Sequence, residues 1–199
     1  MPQFTTRPEI AGTFGVVAST HWIASAVGMA ILERGGNAFD AAVATGFTLQ
    51  IVEPHLNGPG GDMPAILYSA ARDRVEVLCG QGPAPAAATI DHYRSEGLDL
   101  IPGSGLLATV IPGAFDAWMI MLRDYGSLSL REVLEPAIFY AEQGHPLLPR
   151  VADAIAERAG FFTAQWPTSA ATWLPGGSAT RACSAATTWP ATAPPWRRR

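Results

Sequence analysis

Apolar and polar positions recur along this chain with periods that change, and each change marks an element. Phe14–Ser19 (FGVVAS) is a short apolar run and predicts a buried strand. From 21 to 34 the spacing becomes helical: Ile23, Val27, Ile31 and Leu32 share a face, and Gly35-Gly36 ends the run. Asn37 with Asp40 three places on is a capping-box pattern opening a second helix. From Ala41 to Val52 that helix is apolar nearly all round, which places it at the centre, and Glu53-Pro54 stops it. Ala65–Ser69 and Val75–Cys79 read as strands joined by a charged turn at Arg72-Asp73-Arg74. Residues 81–88 are a Pro/Ala connector, and Thr89 or Asp91 starts a short helix. Phe115, Trp118, Met119 and Leu122 give the stripe of a helix over 114–123. Ser129-Leu130-Arg131-Glu132 caps another, with Leu130, Val133, Leu134, Ala137, Ile138 and Ala141 on its face, Pro136 inside it and Gly144 at its end. A last helix is expected over 151–157. The sum is an α/β body with more helix than strand.

This pattern stops before the chain does. Residues 178–199 contain no Asp, Glu, Leu, Ile, Val, Met or Phe, and they end in Arg197-Arg198-Arg199. Such a composition forms no core of its own. It also has the Ala, Arg, Pro, Ser and Thr bias of GC-rich DNA read out of frame, so a frame shift just after Gly177 is favoured over a native disordered tail. The expected organisation is an arm at 1–13, a folded body at 14–177 and a tail at 178–199.

Composition narrows the function. Of 199 residues, 48% are apolar and 15% charged, which excludes a disordered chain or a coiled coil. All 13 basic residues are arginine; against 17 acidic ones they leave a net charge of −4, which argues against nucleic-acid and membrane-surface binding. Four of those arginines lie in the tail, leaving nine basic against 17 acidic side chains upstream. The uncharged stretch from Ile10 to Leu32 is broken by Ser19, Thr20, His21 and three glycines, so neither a membrane span nor a secretory signal is expected. The protein reads as soluble and cytoplasmic.

The usual motifs of chemistry are missing. Gly58-Pro59-Gly60-Gly61 lacks the Gly-Lys-Ser/Thr of a phosphate loop and the spacing of a dinucleotide fingerprint, so a tight turn is the better reading. His21, His55, His92 and His145 are scattered, form no HxxxH pair and read as surface or capping residues. Cys79 and Cys183 have no metal-site spacing, and Cys79 reads as a buried structural thiol. No G-x-S-x-G elbow occurs. No metal or cofactor is expected.

Several ordered blocks carry a family resemblance. Val16-Val17-Ala18-Ser19-Thr20-His21-Trp22, Gly35-Gly36-Asn37-Ala38-Phe39-Asp40-Ala41-Ala42, Val52-Glu53-Pro54-His55, Ala84-Pro85-Ala86, Val110-Ile111-Pro112-Gly113, Leu134-Glu135-Pro136-Ala137 and Ala141-Glu142-Gln143-Gly144 resemble the gamma-glutamyltransferase (glutathione hydrolase) family in sequence and in order. The resemblance covers about residues 14–177. It implies an N-terminal nucleophile hydrolase with an αββα sandwich, made as a precursor that cleaves itself into a large and a small subunit. In that family the new N-terminal threonine attacks a gamma-glutamyl amide and uses its own amine as base, so the substrate would be a small amide such as glutathione.

The blocks match only the front of the large subunit, so most of the central sheets and the small-subunit portion would be missing. The family's Thr-Thr-His-x-Ser motif does not occur: Thr20-His21 belongs to the opening block, and Thr187-Thr188 is followed by Trp189. The expectation is therefore no catalytic residue in this chain and no turnover by it alone. The family arginine that pairs with the glutamyl α-carboxylate falls, counting back from Ala84-Pro85, on Gln81. Gln81 is the one candidate substrate-binding residue, and its neutrality points toward an amidase or acylase branch. Arg72 and Arg74 are placed on a solvent-facing turn. The alternative is a non-catalytic or partner-dependent large-subunit-like binding protein.

Overall fold

In the computed structural model, which describes residues 9–147 and 149–173, helix α1 (Trp22–Glu33) starts at His21. The His21 Nδ1 accepts the Ile23 amide at 3.2 Å. The helix ends with Gly35 at φ +93°; the Gly36 amide reaches the Ile31 carbonyl and the Gly35 amide the Leu32 carbonyl, both at 3.0 Å. A positive φ is needed there, so glycine is the residue that fits. Helix α2 (Ala38–Val52) opens with the capping box read from the sequence: the Asn37 side chain accepts from the Phe39 and Asp40 amides, and Asp40 accepts the Asn37 amide at 2.8 Å.

Two strands follow, β1 (Met63–Ser69) and β2 (Arg74–Gly80), paired antiparallel with Ile66 opposite Val77. Next come α3 (Ile90–Ser95), capped by the Thr89 hydroxyl, a 3-10 turn at Leu106–Ala108, α4 (Ala114–Tyr125) and α5 (Leu130–Gln143) with its Ser129/Glu132 capping box. Pro136 lies inside α5 without ending it. Helices α6 (Pro149–Gln165) and α7 (Pro167–Trp173) pack against each other. The core gathers on α2, which touches α1, α4 and α5, while α4 also covers one face of the hairpin.

Five sequence expectations change. Phe14–Ser19 is not a paired strand; the sheet among the described residues has only two strands, β1 and β2. Its burial still alternates, with Gly15, Val17 and Ser19 half-buried and Phe14, Val16 and Ala18 exposed, which is the pattern of a strand without a ladder partner. The buried stripe of α4 is turned toward Ala114, Ala117, Met121 and Leu122, and Phe115 stays exposed. Small residues face the hairpin because the backbones approach closely there: a Cβ on Gly80 would lie 2.6 Å from the Ala117 Cβ. On α5 only Val133 and Ala137 are fully covered, and Leu130 and Ile138 are exposed. Helix α6 runs well past Glu157, and the Phe161, Phe162 and Trp166 rings pack edge-on at its end, at 4.9 and 5.4 Å. Cys79 is exposed, because it lies on the outward face of β2 opposite Pro64.

The tail at 178–199, with Thr187-Thr188, lies outside the described residues, as do residues 1–8 of the arm. Among the described residues no helix is long and apolar enough to cross a membrane.

Candidate functional site

The site is built at the open end of the hairpin. Met63 pairs with Gly80, so the ladder itself brings Asp62, just before β1, beside Gln81, just after β2. The Gln81 Nε2 donates to Asp62 Oδ2 at 3.5 Å, and both side chains are exposed. The glycine loop behind Asp62 is a turn, as its sequence predicts, with the Gly61 amide on the Gly58 carbonyl at 3.1 Å. It has a second role. The Gly61 carbonyl accepts the Gly113 and Ala114 amides at 3.3 and 3.0 Å, which satisfies the start of α4, where Gly113 offers no side-chain cap.

The turn carrying Arg72 and Arg74 faces solvent. Both guanidiniums meet Glu76, at 3.4 and 2.6 Å, and Arg72 lies over the Tyr125 ring at 4.3 Å from its centre. The hydrogen bonds and ion pairs of both arginines run to Glu76 and the Asp124 carbonyl, whereas Gln81 bonds to Asp62.

A second group of polar side chains lies buried below the loop. Glu53, the C-cap of α2, is 0% exposed. Its Oε2 accepts the Thr20 hydroxyl, and its Oε1 has no hydrogen-bond partner among the described residues. The Glu53 carbonyl holds the loop through the Leu56 amide at 3.0 Å and the Asn57 Nδ2 at 3.1 Å. His21 and His145 are buried beside one another, ring centres 6.4 Å apart and nearly perpendicular. Burial pushes the His21 pKa below its ordinary value; the Glu53 charge opposes this and His145 adds to it. His21 is thus a cap, one of the two roles its sequence allows, and a buried one; His145 is a buried ring and not a surface residue, whereas His55 and His92 are exposed.

Sequence reading missed the Glu53 cluster because Glu53-Pro54 looked sufficient as a helix stop. The available signal was a lone carboxylate closing a helix of wholly uncharged residues after Asp40. Among the described residues, no group of three or more His, Cys, Asp or Glu side chains is placed to hold a metal ion.

The sequence profile described as Gamma-glutamyltranspeptidase matches residues 24–197. The chain belongs to the gamma-glutamyltranspeptidase family. It is 42% identical over 140 residues to the glutathione hydrolase-like YwrD proenzyme of Bacillus subtilis, covering 70% of this chain and 26% of that protein. It is 38% identical over 181 residues to the acylase ACY 1 proenzyme of Pseudomonas sp. strain SE83, covering 86% and 32%. Among solved structures, LmbA2991HD superposes with a TM-score of 0.82 at 54% identity, covering 88% of this chain and 30% of that one. The Helicobacter pylori gamma-glutamyltranspeptidase superposes with a TM-score of 0.76 at 31% identity, covering 85% and 49%.

The chain therefore spans about a quarter to a third of the curated relatives it matches, over the N-terminal part of the large subunit. Those relatives are proenzymes, and the family's members are N-terminal nucleophile hydrolases. Among the described residues, this region of the gamma-glutamyltranspeptidase family contributes a helix-rich body with one two-stranded sheet.

Proposed function

We propose that this chain supplies the N-terminal part of the large subunit of an autoprocessing amide hydrolase or acyltransferase. The observation that carries the reading is the match of residues 24–197 to the family in a sequence without its Thr-Thr-His-x-Ser motif. The nucleophilic threonine then comes from polypeptide outside this chain. Its hydroxyl oxygen attacks the amide carbonyl, its α-amine takes the hydroxyl proton and delivers it to the departing nitrogen, and the acyl ester passes to water or an amine. The αββα sandwich is completed by the same outside polypeptide. Two features support this: the unpaired, alternately buried Phe14–Ser19 segment and the uncovered apolar face of the hairpin.

Residues 14–177 form the body in this reading. Residues 178–199 are an out-of-frame extension, although the family match runs into them. The test is to resequence the coding DNA and translate every frame beyond the Gly177 codon. A frame reaching Thr-Thr-His-x-Ser supports the reading; confirmation of the printed frame with no such continuation favours a non-catalytic, partner-dependent subunit. In parallel, the purified chain should release no product from a gamma-glutamyl anilide above a blank preparation, and measurable release would overturn its lack of a catalytic residue.

Gln81 supports a reading of the substrate class. In the family arginine's position it offers a neutral amide already turned toward the Asp62 carboxylate, so the local charge is negative where an α-carboxylate would bind. That favours an acyl group without an α-carboxylate, in line with the acylase relative, over glutathione. In a catalytically complete form, an acyl anilide lacking the α-carboxylate should exceed the gamma-glutamyl anilide in kcat/KM by about tenfold or more, and Gln81→Arg should narrow the gap. A preference for the gamma-glutamyl compound would sink the assignment.

A further inference from the structure

The cavity beneath the glycine loop, about 300 Å³, is lined by two carboxylates, Glu53 and Asp62, with Thr20, Gln50, Asn57 and the Trp118 ring among its walls. Among the described residues, no arginine or histidine lines it. Glu53 is fully buried, and one of its oxygens is bonded to Thr20 while the other has no partner among the described residues. A carboxylate taken out of water needs an opposing charge or a full set of donors. His21 feels the Glu53 charge, but burial is the larger effect and holds its pKa below the ordinary 6.5. A second buried atom without a partner among the described residues, the Thr45 hydroxyl oxygen, belongs to an adjoining cavity that shares Thr20, Gly46, Leu49 and Trp118 with the first.

We propose that this cavity binds a small organic ammonium ion, with Glu53 and Asp62 as its counter-charges and Trp118 as an aromatic wall. An ammonium group has three donors and no acceptor, which suits an unpaired carboxylate oxygen, the hydroxyl of Thr20 and the amide oxygens of Gln50 and Asn57. Its charge is also attracted to the face of an indole ring. A cavity of this size is at the lower end for small-molecule sites and admits a short alkylammonium. The binding does not depend on the catalytic reading, since it is measured without turnover.

The test titrates ethylammonium chloride into the full 199-residue chain at pH 7.5, with sodium chloride at equal ionic strength and ethanol as controls. Calorimetry should show saturable binding of ethylammonium alone, and Tm should rise by about 5 °C at a hundredfold excess over Kd. Glu53→Gln, which keeps the shape and removes the charge, should weaken binding at least about tenfold. Because Glu53 is buried and that variant can fail to fold, the exposed Asp62→Asn variant provides a second reading and should weaken binding several-fold. No saturable heat, an equal response to sodium chloride or ethanol, or unchanged affinity in a folded Glu53→Gln or in Asp62→Asn would overturn the proposal. The first of these outcomes would mean that water alone satisfies Glu53.

Discussion

Asp40 ties three elements together with one carboxylate. It is fully buried, and besides closing the cap of α2 it accepts the Ser127 amide at 3.0 Å, the Ser127 hydroxyl at 2.6 Å and the Leu128 amide at 3.1 Å. The neighbouring Asn37 Nδ2 donates to the Tyr125 carbonyl at 2.7 Å, so the start of α2 is fastened to the end of α4 and to the turn leading into α5. Burial opposes the Asp40 charge, yet the bonds from Ser127, Asn37 and Leu128 hold its pKa below the ordinary 3.8. Its contribution to stability is therefore complete above pH 3.8 and is lost as pH falls through the lower folded value. Asp40→Ala should cost about 3 kcal/mol in urea unfolding at pH 7, because it orphans several buried donors. Asp40→Asn should flatten the fall in stability below pH 3.8. An Asp40→Ala midpoint within error of the parent would refute this account of the junction.

The N-cap of α1 is a histidine, and that choice makes the helix sensitive to acid. The folded pKa of His21 lies below 6.5, so the unfolded chain binds the proton more readily. The stabilisation is complete above pH 6.5 and declines as pH falls below it. His21→Asn keeps a capping acceptor and removes the proton site, so stability between pH 6.5 and 5 should lose part of its slope when followed by thermal unfolding. Between α2 and α4 the contact is steric: a Cβ on Gly46 would sit 2.4 Å from the Trp118 ring. Gly46→Ala should cost about 1–3 kcal/mol by displacing that ring, and an unchanged unfolding midpoint would show that Trp118 has room to move. Caps and helix spacing were legible in the chain because they are local: Asn37 with Asp40, Ser129 with Glu132, and Gly35 each act within four residues. The α4 stripe, the exposure of Cys79 and the burial of His145 and Glu53 were not legible, because each is set by a neighbour distant in sequence. Gln81 and Asp62 lie between these cases. The strands were readable, but the side-chain contact follows only from their register.

At the scale of the whole molecule, the hairpin presents one covered and one uncovered face. Met63 and Leu67 are buried in the core on the side covered by α4, while Ile66, Tyr68, Val75 and Val77 on the other side are 81%, 56%, 67% and 72% exposed. Six outward residues from Pro64 to Cys79 form an apolar patch on a sheet whose two edges are unpaired among the described residues, a surface that promotes association. Ile66 and Val77 stand opposite one another, so Ile66→Arg with Val77→Glu places a cross-strand ion pair at the centre of the patch. In the 199-residue chain this double variant should raise the monomeric fraction in sedimentation velocity and leave Tm nearly unchanged, since neither side chain contributes to the core. In a longer form of the protein, where a further layer is proposed to cover this face, the same pair should lower Tm, because two charges would then be buried in an apolar contact. The opposite signs are the point of the experiment. A loss of Tm in the 199-residue chain itself would mean that its own residues already cover the hairpin.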